Sequence, residues 1–152
     1  MGERPMIEVS VTERVEASAA AVWALVGDFN LVRRWMPSVE HSTKMGEGIG
    51  TERILLISGG ARVIERLDAL DEAARSLTYS FVAGPLPVAS CATTLAVIEE
   101  GAMACTVSWS SRIEPEGLAP EEIARLYREL YRAGCANLRR LMARPFPPAR
   151  TA

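Results

Sequence analysis

A chain of 152 residues, 49% of them hydrophobic, is long enough for one domain with a real core and too short for two. Its 17 basic and 19 acidic side chains leave a formal net charge of −2, so we expect no nucleic-acid partner. We also expect no membrane span, because no stretch approaches the roughly 20 apolar residues that a membrane helix needs. The composition leaves both a monomer and a homodimer open.

The amino terminus and the cysteines bear on compartment and cofactors. The opening residues MGERPMIEVS contain no apolar signal-peptide core, which predicts a cytoplasmic protein. Cys91, Cys105 and Cys135 are odd in number and far apart, which favours reduced thiols over a disulfide framework. His41 is the single histidine and has no Asp, Glu or Cys at ligand spacing, so we expect no metal. The sequence GEGIG is not followed by a helix, and we expect no nucleotide or other cofactor.

The first third of the chain predicts one strand and two short helices. Apolar and polar residues alternate from Ile7 to Val15, which is typical of a half-buried strand. Ser18 stands at the N-cap of the helical stretch AAAVWALVGD. Asn30 to Trp35 can form a second helical turn, which Pro37 ends.

Strands then follow at short intervals, each bounded by turn residues. Their predicted limits are about Val39 to Met45, Gly50 to Ile57, Arg62 to Asp71, Ser76 to Val82, Val88 to Ile98 and Ala102 to Ile113. Ser58-Gly59-Gly60 is a predicted hairpin connection, and Gly84-Pro85-Leu86-Pro87 is a longer loop.

A single long helix from Pro120 to about Arg144 ends the predicted domain, residues 1–144, and residues 145–152 are expected to be a loose tail. Pro120 at the first helical position is followed by carboxylates, which the helix dipole favours there. Its apolar face contains Ile123, Tyr127, Leu130, Gly134, Leu138 and Leu141, flanked by Tyr131 and Asn137. A long sheet with one helix to cover it tends to wrap around that helix, which leaves a cavity for a small apolar molecule.

Strand alternation places one carboxylate among apolar neighbours. If Val63, Glu65 and Leu67 point inward, Glu65 needs a nearby donor or a ligand, because an unpaired buried carboxylate is costly. Such a group could act as a general acid or base. The alternative is a hydrogen bond to water or to a hydroxyl such as Tyr79, with no chemistry. Tyr127 could donate to a ligand carbonyl, although aromatic residues on such a helix are most often simple core.

Several segments carry a resemblance to a known family. They are VWALVGDFNLVRRWMP, ISGG with ARVIERLDALDEAARSLTYSF after it, GPLPVAS with ATTL after it, and ANLRRLM. From Val9 to Met142 the sequence resembles the SRPBCC superfamily of START-like domains, in particular the polyketide cyclase/dehydrase branch. It is less closely similar to the plant abscisic acid receptors. The resemblance is specific for fold and weak for activity, since fold does not determine function.

The resemblance implies an α+β helix-grip fold, with a curved antiparallel sheet of seven strands around the last helix and two short helices after the first strand. It places the loops Ser58-Gly59-Gly60 and Gly84-Pro85-Leu86-Pro87 at the cavity mouth, where we expect Leu86 to cap the ligand. Glu65 matches a carboxylate that faces the ligand in the receptors. The receptors' ligand-holding lysine is replaced by Pro37, and the gate loop is shorter, so abscisic acid is not the expected ligand.

The seventh strand remains ambiguous at this level. Apolar alternation puts Cys105, Val107 and Trp109 inside, whereas a gapless alignment with the family puts Thr106, Ser108 and Ser110 there; we choose Trp109. The acid–base candidates are Glu65 and Tyr127. The candidate ligand contacts are Trp35, Arg62, Val63, Tyr79, Phe81, Leu86, Ala89, Cys91, Trp109, Leu130, Tyr131, Gly134 and Asn137.

Two functions remain open. One is a binding or carrier protein for a small hydrophobic molecule such as a polyketide, lipid or terpenoid. The other is a cofactor-free polyketide cyclase, aromatase or dehydratase that uses Glu65 in the same cavity. The scarcity of acid–base groups favours binding, while the family branch favours the cyclase.

Overall fold

The computed structural model describes residues 5–143; Arg144 and the predicted tail, residues 145–152, lie outside the described residues. The fold is α+β, and its elements follow the predicted order. They are β1 (Ile7–Val15), α1 (Ala19–Val26), α2 (Val32–Trp35), β2 (Val39–Lys44), β3 (Glu52–Ile57), β4 (Arg62–Asp71), β5 (Ser76–Ala83), β6 (Val88–Glu99), β7 (Cys105–Pro115) and α3 (Pro120–Met142).

Seven antiparallel strands form one curved sheet in the order β1-β7-β6-β5-β4-β3-β2. Strands β2 to β7 pair with their neighbours in the chain, while β1 crosses the sheet to pair with β7 from Ile7 opposite Ile113 to Val15 opposite Cys105. Helix α3 packs against the sheet through a stripe that buries Ile123, Tyr127, Tyr131, Cys135 and Leu138. This is the expected helix-grip arrangement.

Local sequence signals set the element ends. The Ser18 side chain accepts a hydrogen bond from the Ala21 backbone N–H at 3.1 Å, which caps α1 as predicted. The second helix is only one turn, Val32–Trp35, and the chain leaves it just before Pro37. No described helix is both long and apolar enough to cross a bilayer.

Two strands begin later than the sequence predicted. Strand β3 begins at Glu52, because Gly50 has a φ of 91° and bonds to Leu67 O outside the regular ladder. Strand β7 begins at Cys105, because Gly101 has a φ of 116° within a turn that a hydrogen bond from Glu100 N to Ala104 O closes. In both places glycine permits a positive φ, and the regular ladder of the strand begins only after that residue.

At Gly134 the backbone of α3 packs tightly against Trp109 of the sheet. A Cβ at this position would lie 2.7 Å from Trp109 Cζ3 and 2.9 Å from Met36 Sδ. The Trp109 ring has little room to move, because it stacks on Tyr131 with ring centroids 4.2 Å apart and touches Trp35 at 5.0 Å. Glycine therefore fixes how deeply the helix sits in the sheet.

We expect Gly134→Ala to destabilise the fold. A methyl group improves helix propensity by about 1 kcal/mol, but overpacking against Trp109 costs about 1–3 kcal/mol, and the second effect should dominate. Urea denaturation followed by tryptophan fluorescence measures the balance. Ala136→Gly on the exposed side of α3 reports helix propensity alone. A Gly134→Ala protein more stable than wild type would contradict the close contact.

Candidate functional site

A cavity of about 210 Å³ lies between the inner face of the sheet and α3. Its wall is mainly apolar, and its polar side chains are few. The lining residues are Val32, Met36, Ser38, Val39, Arg53, Leu55, Ile57, Val63, Glu65, Tyr79, Phe81, Leu86, Cys91, Thr93, Trp109, Leu126, Tyr127, Leu130 and Tyr131.

Ten of the residues singled out from the sequence lie on this wall: Val63, Glu65, Tyr79, Phe81, Leu86, Cys91, Trp109, Tyr127, Leu130 and Tyr131. Alternation along the strands places the sheet residues there, since side chains two apart share a face. Helical spacing brings the α3 residues to the same side.

Arg62 and Ala89 do not belong to the wall. Both are exposed, and the inward direction is taken by their strand neighbours Val63 and Val88, which are 2% and 3% exposed. Because successive side chains of a strand point to opposite faces, the choice of Val63 argues against Arg62. Neither residue lines the cavity, so the geometry does not support the prediction that they contact a ligand.

Trp35, Gly134 and Asn137 form a layer behind the wall. Asn137 Nδ2 donates to the backbone oxygen of Trp35 at 2.9 Å, joining α3 to α2. Trp109 contacts both Trp35 and Gly134 and itself lines the cavity. These three residues therefore support the wall without being part of it.

The side chains of β7 that face inward include Trp109, as predicted. Trp109 is 2% exposed and lines the cavity. Cys105, Val107 and Ile113 are buried on the same face, so the gapless alignment that placed Ser108 and Ser110 inside is wrong. The same face also buries Ser111, a hydroxyl that the sequence reading did not assign inward.

The partner of Glu65 is Arg53, which was not among the residues predicted from the sequence. Arg53 Nε and Nη2 both donate to Glu65 Oε1, at 2.9 Å and 2.6 Å, and Nη1 donates to the backbone oxygen of Phe29 at 2.6 Å. The two residues lie directly opposite each other on β3 and β4. Strand register thus creates a charge-assisted bond inside an otherwise apolar wall.

Aromatic rings complete the surroundings of the Arg53 guanidinium. Its central carbon lies 3.9 Å from the centroid of the Phe29 ring and 4.8 Å from that of Tyr79. Both rings attract the cation through their π faces. The arginine is thereby held by one carboxylate, one carbonyl and two rings, and only 4% of the residue is exposed.

We expect Glu65→Ala to lower the free energy of unfolding by on the order of 3 kcal/mol, because it leaves a buried guanidinium without its counter-charge. Urea denaturation measures the loss. The matched control is Asp68→Ala, which removes the partner of Arg66 from a much more exposed pair and should cost less than about 1 kcal/mol. Equal, small losses in the two variants would contradict the role given to the buried pair.

A chain of hydrogen-bonded hydroxyls joins β6, β7 and α3. Thr93 Oγ1 and Ser111 Oγ are 2.7 Å apart, and Ser111 in turn shares a hydrogen bond with the Tyr131 hydroxyl. The Tyr79 hydroxyl accepts from Trp109 Nε1 at 3.3 Å. Tyr127 differs, since no described residue hydrogen bonds its hydroxyl. That hydroxyl is available to a ligand.

No group of three or more His, Cys, Asp or Glu side chains in residues 5–143 is arranged to hold a metal ion. Cys91, Cys105 and Cys135 are buried free thiols. Burial raises the pKa of the Cys91 thiol. Burial also raises the pKa of the Cys135 thiol, to about 11. The thiol on the cavity wall is therefore a small apolar surface at neutral pH.

All three tyrosines of the chain line the cavity, and burial raises the pKa of each above its usual value of 10. In the unfolded chain they ionise at their ordinary pKa, so the unfolded state loses protons first. Stability should therefore fall as the pH rises above about 10.

Absorbance of tyrosinate at 295 nm, recorded against pH, checks this expectation. We expect no phenolate signal near pH 10 while the protein is folded, and then one cooperative rise that coincides with loss of circular dichroism. A smooth titration centred near pH 10 in folded protein would mean that the tyrosines are in contact with solvent.

Residues 6–143 match the family described as "Polyketide cyclase / dehydrase and lipid transport". The chain belongs to this family. No curated protein matches the sequence.

Solved structures of other proteins share the fold. XoxI from Bacillus cereus is 28% identical with a TM-score of 0.85, over 90% of this chain and 96% of that one. A protein from Thermobifida fusca is 30% identical with a TM-score of 0.76, over 90% and 93%. A START superfamily protein from Mycobacterium smegmatis, 15% identical with a TM-score of 0.77 over 89% and 96%, shows the fold alone. The START-like, helix-grip assignment is confirmed.

Proposed function

We propose that this member of the polyketide cyclase/dehydrase and lipid transport family binds a small hydrophobic molecule, of polyketide, lipid or terpenoid type, between the sheet and α3. The observation that carries the proposal is an apolar cavity in which a few polar groups converge, which is the usual form of a small-molecule site. Aromatic side chains supply much of the wall and would bury an apolar ring at low entropic cost.

Leu126 lines the cavity although 47% of it is exposed, and from this we infer that the mouth of the cavity lies beside it. Leu86, in the loop between β5 and β6, lies on the same wall, and we propose that it caps a bound molecule. Its loop is held by a hydrogen bond from Leu86 N to Gly84 O, and by flanking prolines with fixed φ. Gly59 and Gly60 are exposed and do not line the cavity, whereas Ile57, just before this turn, does. If the turn acts as a gate, its movement must therefore reach the cavity through Ile57.

Filling the cavity should abolish binding without unfolding the protein. Leu130→Trp places an indole at the mouth, where Leu130 is only partly buried and the wall can tolerate bulk. The neutral two-ring fluorophore 1-naphthylamine shifts its emission in apolar sites and reports occupancy directly. We expect wild type to bind it and Leu130→Trp to bind at least about tenfold more weakly, since the variant occupies the volume that the ligand needs.

Ala136→Trp is the matched control, because it adds the same side chain to the exposed side of the same helix. It should bind the fluorophore like wild type. Native mass spectrometry of the purified proteins adds a second readout: a small molecule retained by wild type and by Ala136→Trp should be missing from Leu130→Trp. Equal fluorophore binding by all three proteins would refute the cavity as the binding site.

A second candidate is a cofactor-free cyclase, aromatase or dehydratase, favoured by two groups that face the same space. Glu65 Oε1 accepts both bonds from Arg53, while no described donor reaches Oε2, and the Tyr127 hydroxyl is also without a partner among residues 5–143. A carboxylate could accept a proton from an activated carbon while a phenol donates to the developing enolate oxygen.

Incubation with a linear poly-β-ketone thioester tests this candidate. Mass spectrometry should show loss of water beyond the uncatalysed rate, and Glu65→Gln and Tyr127→Phe should each slow it by about 100-fold or more if they are the acid–base pair. Leu130→Trp controls for reaction elsewhere on the surface. Binding of the thioester without accelerated loss of water would leave the protein a carrier.

A further inference from the structure

The two partners at the polar end of the cavity are not equally accessible. The Glu65 side chain is 17% exposed, and the Arg53 side chain 5%. Three of the five N–H groups of Arg53, one on each nitrogen, already donate to protein oxygens, and the rings of Phe29 and Tyr79 contact its guanidinium. A molecule in the cavity therefore meets the carboxylate more readily than the guanidinium.

The carboxylate of Glu65 requires a hydrogen-bond donor on the ligand. An ionised carboxylate can only accept hydrogen bonds, whereas the hydroxyls of Tyr79 and Tyr127 can either donate or accept and so do not discriminate. Both bonds from Arg53 end on Glu65 Oε1, and no donor in the described part of the chain reaches Oε2. An acceptor left unpaired when water is displaced is costly, so the ligand must bring a donor.

The charges of Arg53 and Glu65 also limit which polar group the ligand can carry. Arg53 and Glu65 neutralise each other, so a ligand carboxylate would add a second negative charge beside Glu65. An ammonium group would leave one uncompensated positive charge in an apolar cavity, which is also unfavourable. A hydroxyl donates a proton to Oε2 without adding net charge.

We propose, resting on the binding function above, that the cavity selects uncharged one- or two-ring molecules with a phenolic or alcoholic hydroxyl that donates to Glu65 Oε2. The size limit follows from the volume of about 210 Å³, which is below the roughly 300–1,000 Å³ of sites for drug-sized ligands. The apolar wall takes the ring system, and the carboxylate at its polar end takes the hydroxyl.

Three naphthalenes of similar size test the selection by isothermal titration calorimetry at neutral pH. They are 2-naphthol, which donates; 2-methoxynaphthalene, which can only accept; and 2-naphthoate, which is anionic. A hydrogen bond to a charged group should make 2-naphthol bind about 10- to 100-fold more tightly than 2-methoxynaphthalene, and 2-naphthoate should bind most weakly.

The double variant Arg53→Met/Glu65→Leu removes the ion pair and keeps the wall filled, which proteins often tolerate better than removal of one partner. We expect it to fold and to bind 2-methoxynaphthalene at least as tightly as 2-naphthol. Glu65→Gln, compared after its fold is verified by circular dichroism, should shrink the preference, because the amide no longer acts as a charged acceptor.

The outcomes separate this inference from the proposed function. If wild type binds 1-naphthylamine in a manner that Leu130→Trp abolishes, yet binds 2-naphthol and 2-methoxynaphthalene equally, the cavity is a binding site and the selection for a donor is wrong. A preference for 2-naphthol that persists in the double variant also overturns the selection by Glu65. If neither the fluorophore nor 2-naphthol binds to wild type, both proposals fail.

Discussion

The ion pair between Arg53 and Glu65 is the interaction on which the cavity depends. Neither charge would remain in an apolar wall alone, because the loss of hydration costs several kcal/mol per ion. The pair joins neighbouring strands, and its third bond reaches the backbone of Phe29 in the connection between the two short helices. The same guanidinium thus fixes the polar end of the cavity and holds the helical segment against the sheet.

Aromatic packing holds another part of the cavity wall. Trp109 stacks on Tyr131 of α3 and touches Trp35 of α2, so three elements meet at one ring. Gly134 lets the helix backbone come close enough for this stack, and a side chain there would push α3 outward. The ion pair and the aromatic stack hold parts of the cavity wall in place, and small and medium side chains such as Cys91 and Val63 leave space beside them.

The fold followed from local patterns. The alternation of β1, the Ser18 cap, the Pro37 stop and the long amphipathic helix all describe short-range preferences that the tertiary structure keeps. Strand ends were less predictable, since Gly50 and Gly101 leave the ladder through positive φ values that depend on long-range bonds. Arg62 and Ala89 do not line the cavity, because side-chain direction alternates at every residue and their strand neighbours Val63 and Val88 point inward.

The partner of Glu65 was within reach of the sequence, because the hairpin itself specifies it. The predicted turn at Ser58-Gly59-Gly60 makes the pairing of β3 and β4 symmetric about Gly59, which sets Arg53 opposite Glu65 and Leu55 opposite Val63. Ser111 could also have been found, since it shares the face of Trp109. The hydrogen bond from Arg53 to the backbone of Phe29 could not, because it joins segments whose approach depends on the packing of the whole domain. Register therefore predicts which charges meet, and tertiary packing decides which of them a ligand can touch.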